Sequence, residues 1–357
     1  MWRGESRSVR RVAVAGYSAV ALLVMLISLA ARVAAADAPL RVVATTPELG
    51  SLVRTVGGDQ VAVVVLAKAT QDPHFVEAKP SYIKELNRAA LYVANGMELE
   101  IGYAPVLLNG ARNPGILPGS SGYLDASVVV TPLEVPVVPI DRSMGDVHPF
   151  GNPHYLLDPL MGRRVAGLIR DALSSIRPAE AQSFAGRYDD FTRRLDSALV
   201  GPTLAQKYDA EKLATLFEYG KLVPFLEKHG EAAALGGWLG ELAPYYATKV
   251  VGDHPMWPYL ARRFGLQIVA HLEPKPGVPP TTKHLQEVIE TMRGTDVPLI
   301  LASAYYDPRH ADLVAAQTGA RVVRMANQAG ARPGTEEYLD MVNYNVGQIV
   351  AALRTGT

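Results

Sequence analysis

From Leu40 onward the chain alternates short apolar runs with longer amphipathic ones. "LRVVATTPEL" predicts a buried strand, then a turn at Pro47 into a helix. "GGDQVAVVVLA" predicts a turn and a second strand. Ser81 is placed to cap a helix through "YIKELNRA", and "ALYVANG" predicts a third strand ending at Gly96. Later in the chain the alternation resumes. "TKVVGDH" predicts a strand ending at a histidine, "LQIVAHLEP" another, "KHLQEVIETMRG" a helix, and "VPLILASAYYD" and "RVVRMA" two further strands. Strand–helix–strand alternation builds mostly parallel sheets with helices on their faces, so the expected fold class is α/β.

Between the two series the period changes. Phe184, Tyr188, Phe191, Leu195 and Leu199 recur every three or four residues, which predicts an amphipathic helix begun at Pro178. It reads either as a surface helix of one domain or as a long helix joining two. Two α/β lobes with a hinge make a cleft, and the ends of parallel strands are where ligands sit in open sheets.

The first residues belong to neither lobe. Arg3, Arg7, Arg10 and Arg11 precede an apolar run, Val12 to Ala31, and Ala34-Ala35-Ala36 offers a small-residue cleavage site. The expectation is a cleaved signal peptide over residues 1–36, against the alternative of an uncleaved anchor helix. Its removal takes five arginines and one glutamate from a chain of zero formal charge and leaves −4. Nothing in that balance resembles a nucleic-acid-binding surface. The chain has no cysteine, so no thiolate can bind a metal or carry a lipid at the mature N-terminus. An exported, untethered, cysteine-free protein fits a bacterial periplasm.

Of eight histidines, three stand just after a predicted strand in a proline-containing loop: His74 in "QDPHFVEAKPS", His154 in "GNPHYLLDP" and His254 in "VGDHPMWPYL". Neutral imidazole suits Zn²⁺ and related divalent ions. Their spacings of 80 and 100 residues carry no short-range metal signature, so three unrelated loop histidines are an equal reading at this point. Asp72, Asp158 and Asp253 beside them are placed to cap helices or to orient imidazoles. His229, His284 and His310 read as solvated, His271 as structural, and His148 as a loop residue or auxiliary metal contact. Trp257 and Tyr259 read as packing residues.

"DPHFVEAKPS", "NGMELE", "GNPHYLLDP", "VVGDHPMWPYLARRFGL" and "LEPKPGVPP", in this order, resemble the periplasmic substrate-binding proteins of zinc and manganese ABC transporters, and "HPFGNPH", "EPKPG" and "YYDPR" resemble a zinc-type subgroup. The resemblance implies an N-terminal lobe over 37–177, a linking helix over 178–205, a C-terminal lobe over 206–357, and a metal site in the inter-lobe cleft. It carries His74, His154 and His254 over as ligands of Zn²⁺, with Mn²⁺ less favoured, and implies a monomer that delivers the ion to an inner-membrane permease. Many relatives complete the site with a carboxylate where this chain has Asn327. Asp307 in "AYYDPR" is the expected fourth ligand, against a helix-cap role or a water in its place. A zinc hydrolase and a metal-fold adhesin are the alternative functions. No H-E-x-x-H helix and no G-x-S-x-G turn accompanies the histidines.

Overall fold

The computed structural model describes residues 38–137 and 147–354. The expected signal peptide, its cleavage site and most of the loop before His148 lie outside the described residues.

The two alternating series fold into two parallel sheets. The first contains β1 (Leu40–Ala44), β2 (Val61–Val65), β3 (Leu91–Ala94) and β4 (Tyr123–Asp125) in the order β2-β1-β3-β4. The second contains β5 (Lys249–Gly252), β6 (Gln267–His271), β7 (Leu299–Ala302) and β8 (Arg321–Arg324) in the order β6-β5-β7-β8. The lobes thus repeat one topology without repeating a sequence. Helices cover both faces, which is why β3 and β7 are buried at every position and read as unbroken apolar runs. Val43, Leu86, Tyr92, Leu107 and Ile116 pack in one core, and Val251, Leu285, Val288, Ile300 and Val314 in the other. In each order the chain reverses direction across the sheet between the first and third strands, β1/β3 and β5/β7. Such a switch point leaves a crevice at the strands' carboxyl ends.

Several local expectations shift. Pro80 opens the helix Pro80–Asn87 from an uncapped Lys79, so Ser81 lies inside it. Segment 178–205 is not one helix: Pro178–Glu180 is a 3₁₀ turn, Ala181–Val200 the long helix, and Pro202–Lys207 a separate one. Gly201, at φ 84°, breaks the run, and Pro202 has no N–H to continue it. Phe184, Phe191, Leu195 and Leu199 are its buried stripe. The helix packs on Pro47–Gly57 of the first lobe and on Ala210–Glu218 and Gly237–Leu242 beyond it. The Asp158-Pro159 cap pattern opens its neighbour Pro159–Ile176, whereas the three-residue β4 has no counterpart in the apolar pattern. Among the described residues no helix is long and apolar enough to cross a membrane.

Asp158 ties the lobes together. Its carboxylate caps Pro159–Ile176 through the Leu160 N–H at 2.9 Å. It also takes two bonds from Arg263, at 2.8 and 2.9 Å, where both side chains are buried. Such a pair contributes little net stability, but losing Asp158 leaves the buried Arg263 with Glu218, 3.7 Å away, in place of its bidentate partner. Asp158→Ala should therefore cost about 3–5 kcal/mol in chemical denaturation of metal-free protein. A loss below about 1 kcal/mol would show that the pair is solvated.

Candidate metal centre

Each of the three motif histidines hangs from a loop pinned by the same device. The Asp72 carboxylate accepts the His74 backbone N–H at 3.0 Å, the Asn152 amide oxygen that of His154 at 3.0 Å, and the Asp253 carboxylate that of His254 at 2.8 Å. In "DPH" and "NPH" the intervening proline fixes φ, so the side-chain bond closes a stiff turn. The loops are in turn held to the sheets. The Asn95 side chain, just past β3, donates to the Pro153 carbonyl at 3.0 Å, and Tyr155 Oη donates to the Asn95 carbonyl at 2.6 Å. The Asn152 amide also reaches the Pro255 carbonyl at 2.6 Å, joining the loop of His154 to that of His254. Gly151 makes room for this arrangement: its φ is 102°, and a Cβ there would lie 2.8 Å from the Leu133 carbonyl oxygen.

The result is a cluster of imidazoles. The His74 ring centre lies 5.5 Å from that of His154 and 6.3 Å from that of His254, and His154 and His254 are 5.7 Å apart. A fourth ring joins them. His148 stacks on His74 at 5.1 Å with the two Nε2 atoms 3.0 Å apart. Its ring also bonds the Met97 carbonyl. That carbonyl belongs to "NGM", where Gly96, Met97 and Glu98 are all left-handed, with Met97 at φ 52°. A cavity of ≈ 190 Å³ bordered by His148, His154, His254 and Pro276 opens beside the rings. Larger cavities of ≈ 560 and ≈ 770 Å³ have no histidine in their walls.

Two rings are oriented by acids. His74 Nδ1 bonds Asp72 at 2.6 Å, and His254 Nδ1 bonds Glu273 at 2.7 Å with the Tyr306 hydroxyl 2.8 Å away. Both contacts engage Nδ1 and leave Nε2 as the nitrogen that could meet an ion, in His74 facing His148 Nε2. Burial would raise the Asp72 carboxyl, but its bonds to His74 outweigh that and lower it. Burial, then the neighbouring imidazoles, push His148 down to about 4 and His154 well below the ordinary imidazole range. Among the described residues no three His, Asp or Glu side chains yet form a group that could hold an ion. The rings close on one another, so coordination requires them to turn.

The remaining candidates have other roles. Asp253 orients no imidazole. It takes bonds from Ser303 and from Trp257 Nε1 and sets the start of the His254 loop. Asn327 Oδ1 accepts the Ala304 N–H at 2.8 Å. Asp307 is exposed, caps Pro308–Thr318 and pairs with Arg309, which holds its carboxyl below the usual range. His229 is exposed, and Trp257 and Tyr259 are buried in packing. Glu273 and Tyr306 were not singled out as site residues. The signal for Glu273 was its place just past β6, the neighbour of β5, which ends at Gly252 two residues before His254.

This architecture, two parallel α/β lobes with imidazoles gathered from loops at their strand ends, is that of an extracytoplasmic metal-binding component of an ABC transporter. Residues 42–200 and 233–352 match the family described as "Zinc-uptake complex component A periplasmic", and the chain belongs to that family. It is 21% identical to the manganese ABC transporter substrate-binding lipoprotein PsaA of Streptococcus anginosus, over 93% of this chain and 97% of the relative. It is 23% identical to the iron-binding protein YfeA of Yersinia pestis, over 87% and 85%. Among solved structures it resembles that of ZnuA, with TM-score 0.61 and 21% identity over 86% of this chain and 99% of that one. It also resembles the manganese-bound periplasmic metal-binding protein of Candidatus Liberibacter asiaticus, with TM-score 0.62 and 18% identity over 87% and 98%. The family is a substrate-binding transport component and not an enzyme, which sets the hydrolase reading aside.

The depressed histidines make metal-free stability depend on pH. Their folded pKa values lie below the unfolded ~6.5, so protons favour the unfolded chain. Stability is complete above ~6.5 and falls as pH drops toward 4, by on the order of 3 kcal/mol from His148 alone. Denaturation midpoints of His148→Gln should fall less steeply than the parent's between pH 6.5 and 4.5. Parallel curves would contradict the burial of a neutral His148.

Proposed function

We propose that this protein captures Zn²⁺ outside the cytoplasm and delivers it to its membrane permease, binding the ion with His74, His148, His154 and His254. The observation that carries this reading is the gathering of the rings: His74, His154 and His254 have centres 5.5 to 6.3 Å apart, and His148 stacks on His74 at 5.1 Å. Four imidazoles around one tetrahedral zinc, with nitrogens at about 2.0–2.1 Å, have ring centres about 5 Å apart and ligating nitrogens about 3.3 Å apart. The measured ring distances start at 5.1 Å, and the His74–His148 nitrogens stand 3.0 Å apart. A neutral all-nitrogen donor set favours Zn²⁺, whereas Mn²⁺ and Fe²⁺ sites gain from carboxylate oxygen. The relatives named for manganese and iron make the choice of ion the sharpest point of the proposal.

His148 replaces Asp307 as the fourth ligand in this reading. Asp307 is exposed and engaged by its cap and by Arg309, whereas His148 already faces the ligating edge of His74. The helix Ala181–Val200 serves as the link between lobes 37–177 and 206–357. The protein acts as a monomer, released by cleavage after residue 36 without a lipid anchor.

Removal of one ligand should weaken zinc binding by more than the ~100-fold typical of lost outer contacts. His148→Ala should therefore bind zinc at least ~100-fold more weakly than the parent, while Asp307→Ala binds like it in chelator competition. The reverse order would return the fourth position to Asp307. Proton release gives an independent check. Four ordinary imidazoles would release about three protons on binding zinc at pH 6. With His148 and His154 already neutral, calorimetry in buffers of different ionisation enthalpy should report no more than about two. A release of three would contradict the depressed pair.

A further inference from the structure

His154 borders a second cavity, of ≈ 20 Å³, whose walls include Thr46, Glu48, Asn95, Tyr305, Asn327 and Gln328. That volume holds one water molecule. Three oxygens in its walls, Thr46 Oγ1, Glu48 Oε2 and Gln328 Oε1, lack a partner of good hydrogen-bond geometry, although the Thr46 hydroxyl lies near enough to the Glu48 carboxyl to offset part of the rise, to about 7, that burial imposes on it. Their residues are only 3%, 8% and 2% exposed, so bulk solvent does not satisfy them. An orphaned buried oxygen costs about 1–3 kcal/mol, and three around one small cavity point to a common guest.

The other rings of the cluster indicate what the guest does. His74 is held by Asp72, His254 by Glu273 and His148 by the Met97 carbonyl. His154 has its backbone N–H held by Asn152, but its ring makes no hydrogen bond among the described residues. Metal-ligating histidines almost always donate their second ring N–H to an acceptor, which fixes tautomer and pose. We propose that Glu48, with Thr46 and Gln328, orients His154 through one buried water. Such a water accepts from the His154 ring N–H and the Thr46 hydroxyl, and donates to Glu48 Oε2 and Gln328 Oε1. Its four bonds are then complete, and so are the three orphaned oxygens. Glu48 follows β1 in the first lobe and Gln328 follows β8 in the second, so the same water joins the lobes beside His154.

This inference rests on His154 being a zinc ligand, so the experiment includes His154→Ala. Zinc affinity is measured by chelator competition for the full chain, its His154→Ala, Glu48→Leu, Glu48→Gln and Thr46→Val variants, with the Co²⁺-loaded visible spectrum of each. The parent is also crystallised with zinc. Glu48→Leu should bind 10–100-fold more weakly and shift the Co²⁺ bands, and Glu48→Gln, which keeps an acceptor oxygen, should stay within a few-fold of the parent. The crystal should show a water in hydrogen-bond contact with both the His154 ring and Glu48. Should Glu48→Leu fail to fold, Thr46→Val, which keeps the volume, must show the weakening. If His154→Ala binds zinc like the parent, the ligand reading itself is wrong. If His154→Ala loses zinc while Glu48→Leu or Thr46→Val keeps parental affinity and spectrum, or if the crystal shows no such water, the role of Glu48 is overturned.

Discussion

Imidazoles with ring centres 5.1 to 6.3 Å apart cannot all be cations, because each charge raises the cost of the next. Burial adds to that cost, and together the two effects hold His148 and His154 neutral across the physiological range. Neutral nitrogens pressed together with their lone pairs unshared are the condition from which a divalent ion relieves the most repulsion. Much of the fold keeps that condition in place. The Asx-type bonds from Asp72, Asn152 and Asp253 stop the loops from swinging apart, and the Asp158–Arg263 pair binds the lobe that presents His154 to the lobe that presents His254.

With the orders β2-β1-β3-β4 and β6-β5-β7-β8, each lobe has one switch point, framed by the loops after β1 and β3 or after β5 and β7. His254 follows β5, whereas His74 follows β2 and His148 and His154 follow β4, the loop of His154 being held to the end of β3 by Asn95. Thr45, Asn95, Asp253 and Ser303 lie at those ends and are all buried polar residues with defined bonds. Glu100 completes the set by taking bonds from Thr45 Oγ1 and the Asn95 N–H, both at 2.6 Å. Polar groups there cost little because the backbone ends of the strands supply partners.

Much of this was legible in the chain. Strands betray themselves through short apolar runs, and "DPH" and "NPH" announce stiff turns because their chemistry is local. The cap at Asp158 was legible for the same reason. What stayed open, such as loop residue against auxiliary metal contact for His148, and what escaped notice depend on distance in sequence. His148 sits in an irregular loop with no period to mark it, and only the folded chain brings its Nε2 to His74. Glu273 reaches His254 across neighbouring strands, and Glu48 meets His154 only around a shared cavity. Asp307 was expected in the site because it follows a predicted strand, but its competing local pattern, Asp before Pro, is used by the helix it caps. The Asp158-Pro159 pattern marks the start of the helix Pro159–Ile176, whose buried Gly162, Val165, Ala166, Ile169 and Leu173 recur every three or four residues.

The central claim is that four imidazoles and no carboxylate surround the ion. X-ray absorption at the zinc edge of the loaded protein tests it most directly. The account predicts four nitrogen scatterers at about 2.0–2.1 Å with the outer-shell pattern of four imidazole rings. A sphere of three imidazoles completed by a carboxylate or water oxygen would contradict it.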